Sequence, residues 1–381
     1  MLFLWNNPGP LHRRRSAAFT LAVFFLTILL APRCAPAQTQ NIDTDSREND
    51  SQSIDKQESQ KPVPILSGSA GYFNFITGGE NTIDTQINPV LLVPLGNRWL
   101  IESRAEFEGE FERRGGNGPY AGPVDKHLDY AQIDYIANQF VTVTAGRFLT
   151  PFGIFNERLY PVWIRALQPD PIILPIATTD SDGAMVRGGF PLSGSANLNY
   201  AVYMSATSIG IDSVDSERHV GGRVGIFLPG PRLELGGSWQ KALQDVRKNA
   251  FGFHAEWQPM RIPLTMRAEY ARSYDGSGYW AEGVYRLNQL HFWQKAMRRT
   301  ELVGRAQQFF SGPITPDVAD DLGLPEANTR EGEFGINYFL HDGFKIAGSC
   351  GREFSPAGNA NVWSVGVAYR WLIPLGRVGA Q

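Results

Sequence analysis

The chain has 381 residues, with 35 Lys and Arg against 38 Asp and Glu, a formal net charge of −3. That mild acidity excludes a strongly basic nucleic-acid binder, and no nucleic-acid partner is expected. With 40 Gly, 12% aromatic residues and no long apolar run after the first residues, both a soluble β-sandwich and a membrane barrel fit the composition.

The opening of the chain reads as an export signal. Arg13, Arg14 and Arg15 form a positive region, Phe19–Ala31 is an apolar core too short to span a bilayer comfortably, and Ala35-Pro36-Ala37 has the small-x-small form of a cleavage site. Cleavage after Ala37 removes four arginines and no acid, taking the net charge from −3 to −7. Residues 1–37 are therefore read as a signal peptide. Cys350 is then the one cysteine left, so no intrachain disulfide is expected. Residues 38–66 are mostly polar and acidic and read as a disordered periplasmic linker. No later apolar run approaches the roughly 18 residues of a transmembrane helix.

From residue 67 to 375 the pattern changes to period-two alternation in segments of about ten residues, the length of a tilted membrane strand. In Trp99–Phe111 the odd positions are apolar or small, whereas Glu102, Arg104, Glu106, Glu108 and Glu110 occupy the even ones. Trp363, Val365, Val367, Tyr369 and Trp371 alternate in the same way with Ser364, Gly366, Ala368 and Arg370. So do Phe251, Phe253, Ala255 and Trp257 with His254 and Glu256, and Leu264, Met266, Ala268 and Tyr270 with Thr265, Arg267 and Glu269. Aromatics at the ends of the apolar faces suit an interfacial girdle, and a basic side chain on a lipid face costs about 2–4 kcal/mol near the midplane. Counting gives sixteen strands, from 68–77 to 361–373, an even number as expected of a closed antiparallel barrel. With the N-terminus periplasmic, every tight turn is expected on the periplasmic side and every long connection outside. The exception is 288–298, which suggests a short amphipathic helix at the inner rim.

The connection after the fifth strand stands apart. Tyr160, Trp163, Ile164, Leu167, Ile172, Ile173 and Leu174 require burial, while Pro161, Pro169, Pro171 and Pro175 exclude a long helix or a central strand. A long, apolar, proline-punctuated connection of this kind is usually functional. The expectation is a segment folded into the barrel, with Glu157, Arg158, Tyr160, Trp163, Arg165 and Asp170 forming a constriction.

With this plan the chain resembles bacterial outer-membrane porins, whose third external loop folds into the pore. The Ala145–Gly153 run AGRFLTPFG, followed by Asn156-Glu157-Arg158 and a Pro- and Trp-rich loop, looks like the phosphate-selective porin O/P family. The resemblance implies a water-filled channel for small polar solutes and ions, including anions such as phosphate. It also implies outer-membrane lipid and barrel-assembly machinery as partners, a homotrimer, and no cofactor. Two departures are visible: few lysines follow Lys126, and LIPLGRVGAQ follows the terminal aromatic Trp371.

Arg104, Arg187, Arg223, Arg267, Arg286, Arg305 and Arg370 all fall on the expected lumen face. They either line the pore and attract anions or pair with Glu102, Glu106, Glu234, Glu269, Glu282 and Glu301 on neighbouring strands. A non-conducting structural or adhesive barrel and a barrel enzyme are the competing classes. No His sits in a recognisable nucleophile motif, and no Walker loop or HExxH metal motif occurs in the chain, so an enzyme is not expected.

Overall fold

The computed structural model describes residues 63–113, 118–206, 218–244 and 247–376. The expected signal peptide and most of the expected linker lie outside them. Sixteen long strands form one antiparallel sheet that closes on itself. They are β1 (Ile65–Thr77), β2 (Glu80–Leu95), β3 (Trp99–Arg113), β4 (Val124–Asn138), β5 (Val141–Leu149), β6 (Asp180–Ser193), β7 (Ala196–Ser205) and β8 (His219–Leu228). The ring continues with β9 (Leu233–Ala242), β10 (Asn249–Trp257), β11 (Leu264–Arg272), β12 (Gly276–Arg286), β13 (Thr300–Ser311), β14 (Thr329–His341), β15 (Phe344–Ser355) and β16 (Gly358–Pro374). Each pairs with its neighbours in chain order, and β16 pairs with β1 from Ile65↔Pro374 to Thr77↔Val362. Closure leaves no edge carrying unpaired backbone groups. Among the described residues no helix is long and apolar enough to cross a membrane.

The wall is inverted relative to a soluble protein. Phe253, Val202, Val365 and Phe334 are exposed on the outside, while Glu106, Asp134, Gln240, Glu269, Glu282, Gln307 and Asn337 are buried inside. The alternation read from Trp363–Trp371 and from Phe251–Trp257 holds, with Trp363 and Phe251 outward and Ser364 and His254 buried. One strand changes phase. In β4 Asp129 is buried, and so are Gln132 and Asp134, an odd position followed by two even ones. A bulge causes this: Arg104 pairs with Tyr130 and Ala105 with Leu128, so Asp129 is the extra residue. An inserted residue swaps the faces of the strand beyond it.

The described chain starts and ends at the same rim, called here the near end. Its turns are short except for 287–299, which holds a 3₁₀ turn (Leu287–Gln289) and the one-turn α-helix Gln294–Met297, the rim element that the sequence suggests. The far end carries the long connections but also tight ones. Gly78 and Gly79 turn β1 into β2 with φ of 64° and 98°, and 273–275 and 356–357 are equally short. The expected segregation of turns therefore fails at three places. A two-residue glycine turn with positive φ suits the strand twist at either end of a hairpin barrel.

Candidate functional site

The connection 150–179 runs through the lumen. At its start the Ile154 and Phe155 amides donate to Glu269 of β11, at 2.9 and 3.3 Å. Six residues later the Tyr160 hydroxyl donates to Glu106 of β3, at 3.1 Å. β3 and β11 stand eight strands apart in the ring of sixteen, so the segment spans the barrel from one side to the other. It returns past β15 and β14 to β13. The Ile172 amide donates to Gln307 at 3.1 Å, Arg305 donates to the Pro169 carbonyl at 2.6 Å, and Asn337 donates to the Ala166 carbonyl at 2.9 Å.

Local sequence explains how the crossing starts. Gly153 has φ of 64°, and a Cβ there would lie 2.0 Å from Glu269 Oε1. Only glycine lets the backbone turn this tightly while its next two amides face one carboxylate. The helix α1 (Phe155–Arg158) follows, and the Asn156 amide closes the neck by donating to the carbonyls of Thr150 and Thr179, at 3.0 and 2.7 Å. Prolines keep the rest irregular, so its carbonyls need partners from the wall. Lys345 of β15 supplies three at once, donating to Val162, Trp163 and Arg165 at 3.2, 3.2 and 2.8 Å.

Apolar packing fixes the segment further. Phe152, Ile154, Phe155, Leu159, Ile173 and Ile176 pack on Ala250, Ala271, Trp280 and Phe309 of β10–β13. The far-end connection 312–328, with its helix α2 (Pro316–Asp321), adds Ala319 and Leu324 to the same cluster. Val162 packs with Phe73 and Ala368 where β1 meets β16, and Leu167 with Val303 of β13.

The six segment residues named from the sequence divide by contact. Glu157 meets Arg223 at 2.5 Å and Arg187 at 3.7 Å. Arg158 meets Glu234 at 2.6 Å and Glu256 at 3.5 Å. Burial opposes the charge on Arg158, but its hydrogen bond to Glu234 and the surrounding carboxylates raise its pKa above the usual guanidinium value. Burial, with Glu106 beside it, likewise pushes the Tyr160 phenol well up. Arg165 is buried, bonds the Tyr160 and Gln168 carbonyls, and pairs with the half-exposed Asp170 at 2.8 Å. Trp163 lies under Arg370, whose guanidinium is 5.1 Å from the ring centre.

The seven wall arginines are mostly partnered. Arg104 and Asp129 form a pair at 2.8 Å with each side chain 2% exposed. Arg305 binds Glu282 at 2.8 Å, Arg267 reaches Glu256 and Glu282 at 3.4 Å, and Arg286 holds Glu301 at 2.6 Å. Arg223 also donates to the Gly153 carbonyl, and Arg370 to that of Asp342. The bulge that turns Asp129 toward Arg104 has no sequence signature. Lys345, Asn337 and Gln307 were visible as inward positions of alternating strands, but nothing local marked them as anchors of a segment more than 130 residues earlier in the chain.

Two cavities flank the segment. The far-end one, about 740 Å³, is lined by Tyr160, Asp170, Asp180, Lys248, Asp275 and Asp321 among others. The near-end one, about 830 Å³, is lined by Trp163, Arg232, Arg261, Arg286, Lys345 and Arg370 among others. A serine–histidine contact also occurs, Ser181 Oγ to His219 Nε2 at 2.7 Å, with both residues 0% exposed.

No family model matches this sequence, and no curated protein matches it. Solved bacterial outer-membrane porins share the fold. Pseudomonas putida OprB at high pH aligns with TM-score 0.56 and 10% identity, over 81% of this chain and 94% of that one. Salmonella typhi OmpF in complex with daunomycin gives 0.53 and 11%, over 81% and 97%. The anion-selective porin from Comamonas acidovorans gives 0.51 and 12%, over 81% and 99%.

Proposed function

We propose that the protein is an outer-membrane channel through which small polar solutes and ions diffuse passively. One observation carries this reading: a closed barrel, apolar outside and polar inside, with cavities of about 740 and 830 Å³ on the two sides of an in-folded segment. A sheet so patterned is stable with lipid around it and water within, because closure pairs every strand on both sides and the outward face is largely apolar. On this reading the chain is exported by its 1–37 leader, inserted by barrel-assembly machinery as a homotrimer, and has no catalytic role. The near end is then periplasmic.

Anions, phosphate among them, belong to the finer part of the proposal. Arg187 and Arg286 support it: each pairs with a carboxylate, Glu157 and Glu301, yet their side chains stay 39% and 63% exposed, within reach of passing ions. Replacing both by Gln is expected to shift the reversal potential towards cations in a salt gradient. An unchanged potential assigns the arginines to wall structure alone.

Planar-bilayer recording of the refolded protein tests the main reading. Discrete conductance steps are expected, and deleting Tyr160–Leu174 is expected to enlarge them, because the segment occupies the lumen. A barrel that never conducts overturns it. The apolar packing of 152–177 against β10–β13 favours that second reading, a closed structural barrel.

A further inference from the structure

The two mouths of the barrel carry opposite charge. At the near end the turns 96–98, 229–232, 258–263, 287–299 and 342–343 contain Arg98, Arg232, Arg261, Lys295, Arg298 and Arg299 against one acid, Asp342. Arg232 and Arg261 line the near-end cavity, where Arg286, Arg370 and Lys345 add to them and Glu301 is the one acid in the lining. Arg232 is exposed and its side chain bonds the neutral Gln258 at 3.1 Å, so its charge is not cancelled locally.

The far mouth leans the other way: outside the in-folded segment, the described residues of its connections include Asp275, Asp317, Asp320, Asp321 and Glu326 against Arg218, Arg247 and Lys248. The 312–328 connection carries Asp317, Asp320, Asp321 and Glu326 and no base. Ala319 and Leu324 fasten it onto the in-folded segment, and Asp321 lines the far-end cavity. In that lining Asp275 pairs with Lys248 at 2.6 Å, Asp170 with Arg165 at 2.8 Å and Asp180 with Arg147 at 3.0 Å, which leaves Asp321 as the lining acid without an ion pair among the described residues. The segment separates the two regions, and the ion pair that bridges it joins Arg165 of the near-end lining to Asp170 of the far-end lining at 2.8 Å.

We infer that the barrel conducts asymmetrically, as a rectifying channel whose acidic outer mouth admits cations and whose basic inner mouth admits anions. The inference rests on the conducting reading above. When the far side is positive, cations enter through the acidic mouth and anions through the basic one, and both accumulate in the lumen. At the opposite polarity each ion meets a mouth of its own sign, and the lumen is depleted. Charged low-dielectric clefts focus such fields. The effect requires a screening length comparable to the lumen, so it belongs to low salt.

Single-channel current–voltage curves of the refolded full chain in potassium chloride test it. At 0.01 M, where the screening length is roughly 30 Å, the currents at opposite polarities of equal size are expected to differ about two-fold, and at 1 M, where it is roughly 3 Å, to be equal. The double variant Arg232→Gln, Arg261→Gln is expected to bring the low-salt ratio towards one while conducting at 1 M like the unaltered protein. Asp320→Asn with Asp321→Asn is expected to do the same from the other mouth. Symmetric currents at 0.01 M from a conducting channel overturn rectification and leave the channel standing. An asymmetry untouched by both variants overturns the assignment to these mouths. Absence of any conductance at 1 M overturns the channel itself, and rectification with it.

Discussion

In the wall, Phe253 and Val365 face outward and Glu269 and Asn337 inward; in the 150–179 segment, Ile154, Phe155 and Ile173 are enclosed. The two regions use one hydrophobic effect against different surroundings. A wall strand satisfies its backbone on neighbouring strands, so its side chains need only sort between the two faces. The segment has no neighbouring strand, so the side chains of Glu269, Arg305, Asn337 and Lys345 take that part. The wall is therefore redundant along its length, whereas the segment depends on a few contacts. Substitutions should separate the two.

The largest expected effect is on the segment. Phe155 is 2% exposed and meets the Trp280 ring edge-on at 6.1 Å. Phe155→Ala is expected to lower the opening free energy of the segment by about 3–5 kcal/mol, read from hydrogen exchange of the 154–176 amides. Strand amides should be unaffected; a loss spread evenly over the wall would erase the distinction between the regions.

Next comes the wall itself. Phe253 is 64% exposed near the middle of β10. Phe253→Arg is expected to destabilise the vesicle-inserted barrel by about 2–4 kcal/mol, measured by denaturant titration. Equal stability would mean that this face does not meet lipid. Lys345→Met has a smaller expected cost, about 1–3 kcal/mol, because it leaves the Val162, Trp163 and Arg165 carbonyls without a donor. Faster exchange confined to the amides around 162–167 is the expected signature; acceleration in β15 instead would give Lys345 a wall role. The smallest effect is expected from Arg286→Gln. That pair with Glu301 joins a side chain 63% exposed, and its loss should cost less than about 1 kcal/mol in the same titration.

Much of the wall was legible because strand alternation is local. Trp363 to Trp371 declare their faces without reference to any other part of the chain, and each of the sixteen strands could be recognised from its own ten or so residues. The segment was legible as an anomaly, since Tyr160 to Leu174 are too apolar for water and too rich in proline for a strand. Its anchors were not. Nothing near Lys345 or Gln307 indicates that they bond backbone 180 and 135 residues away. The bulge at Asp129 and the tight Gly78-Gly79 turn at the far end also escaped, the first because a bulge changes register without a required residue type.

The sequence alone thus determined the strand count, the inward and outward faces of most strands, and the presence of an apolar connection that has to be buried. Those properties follow from period-two patterning and from residue chemistry within a few positions. Only the tertiary structure decided where that connection goes, which arginines find carboxylates, and which mouth carries which charge. Each of these depends on which inward side chains closure brings face to face, and closure joins strands as far apart in sequence as β1 and β16.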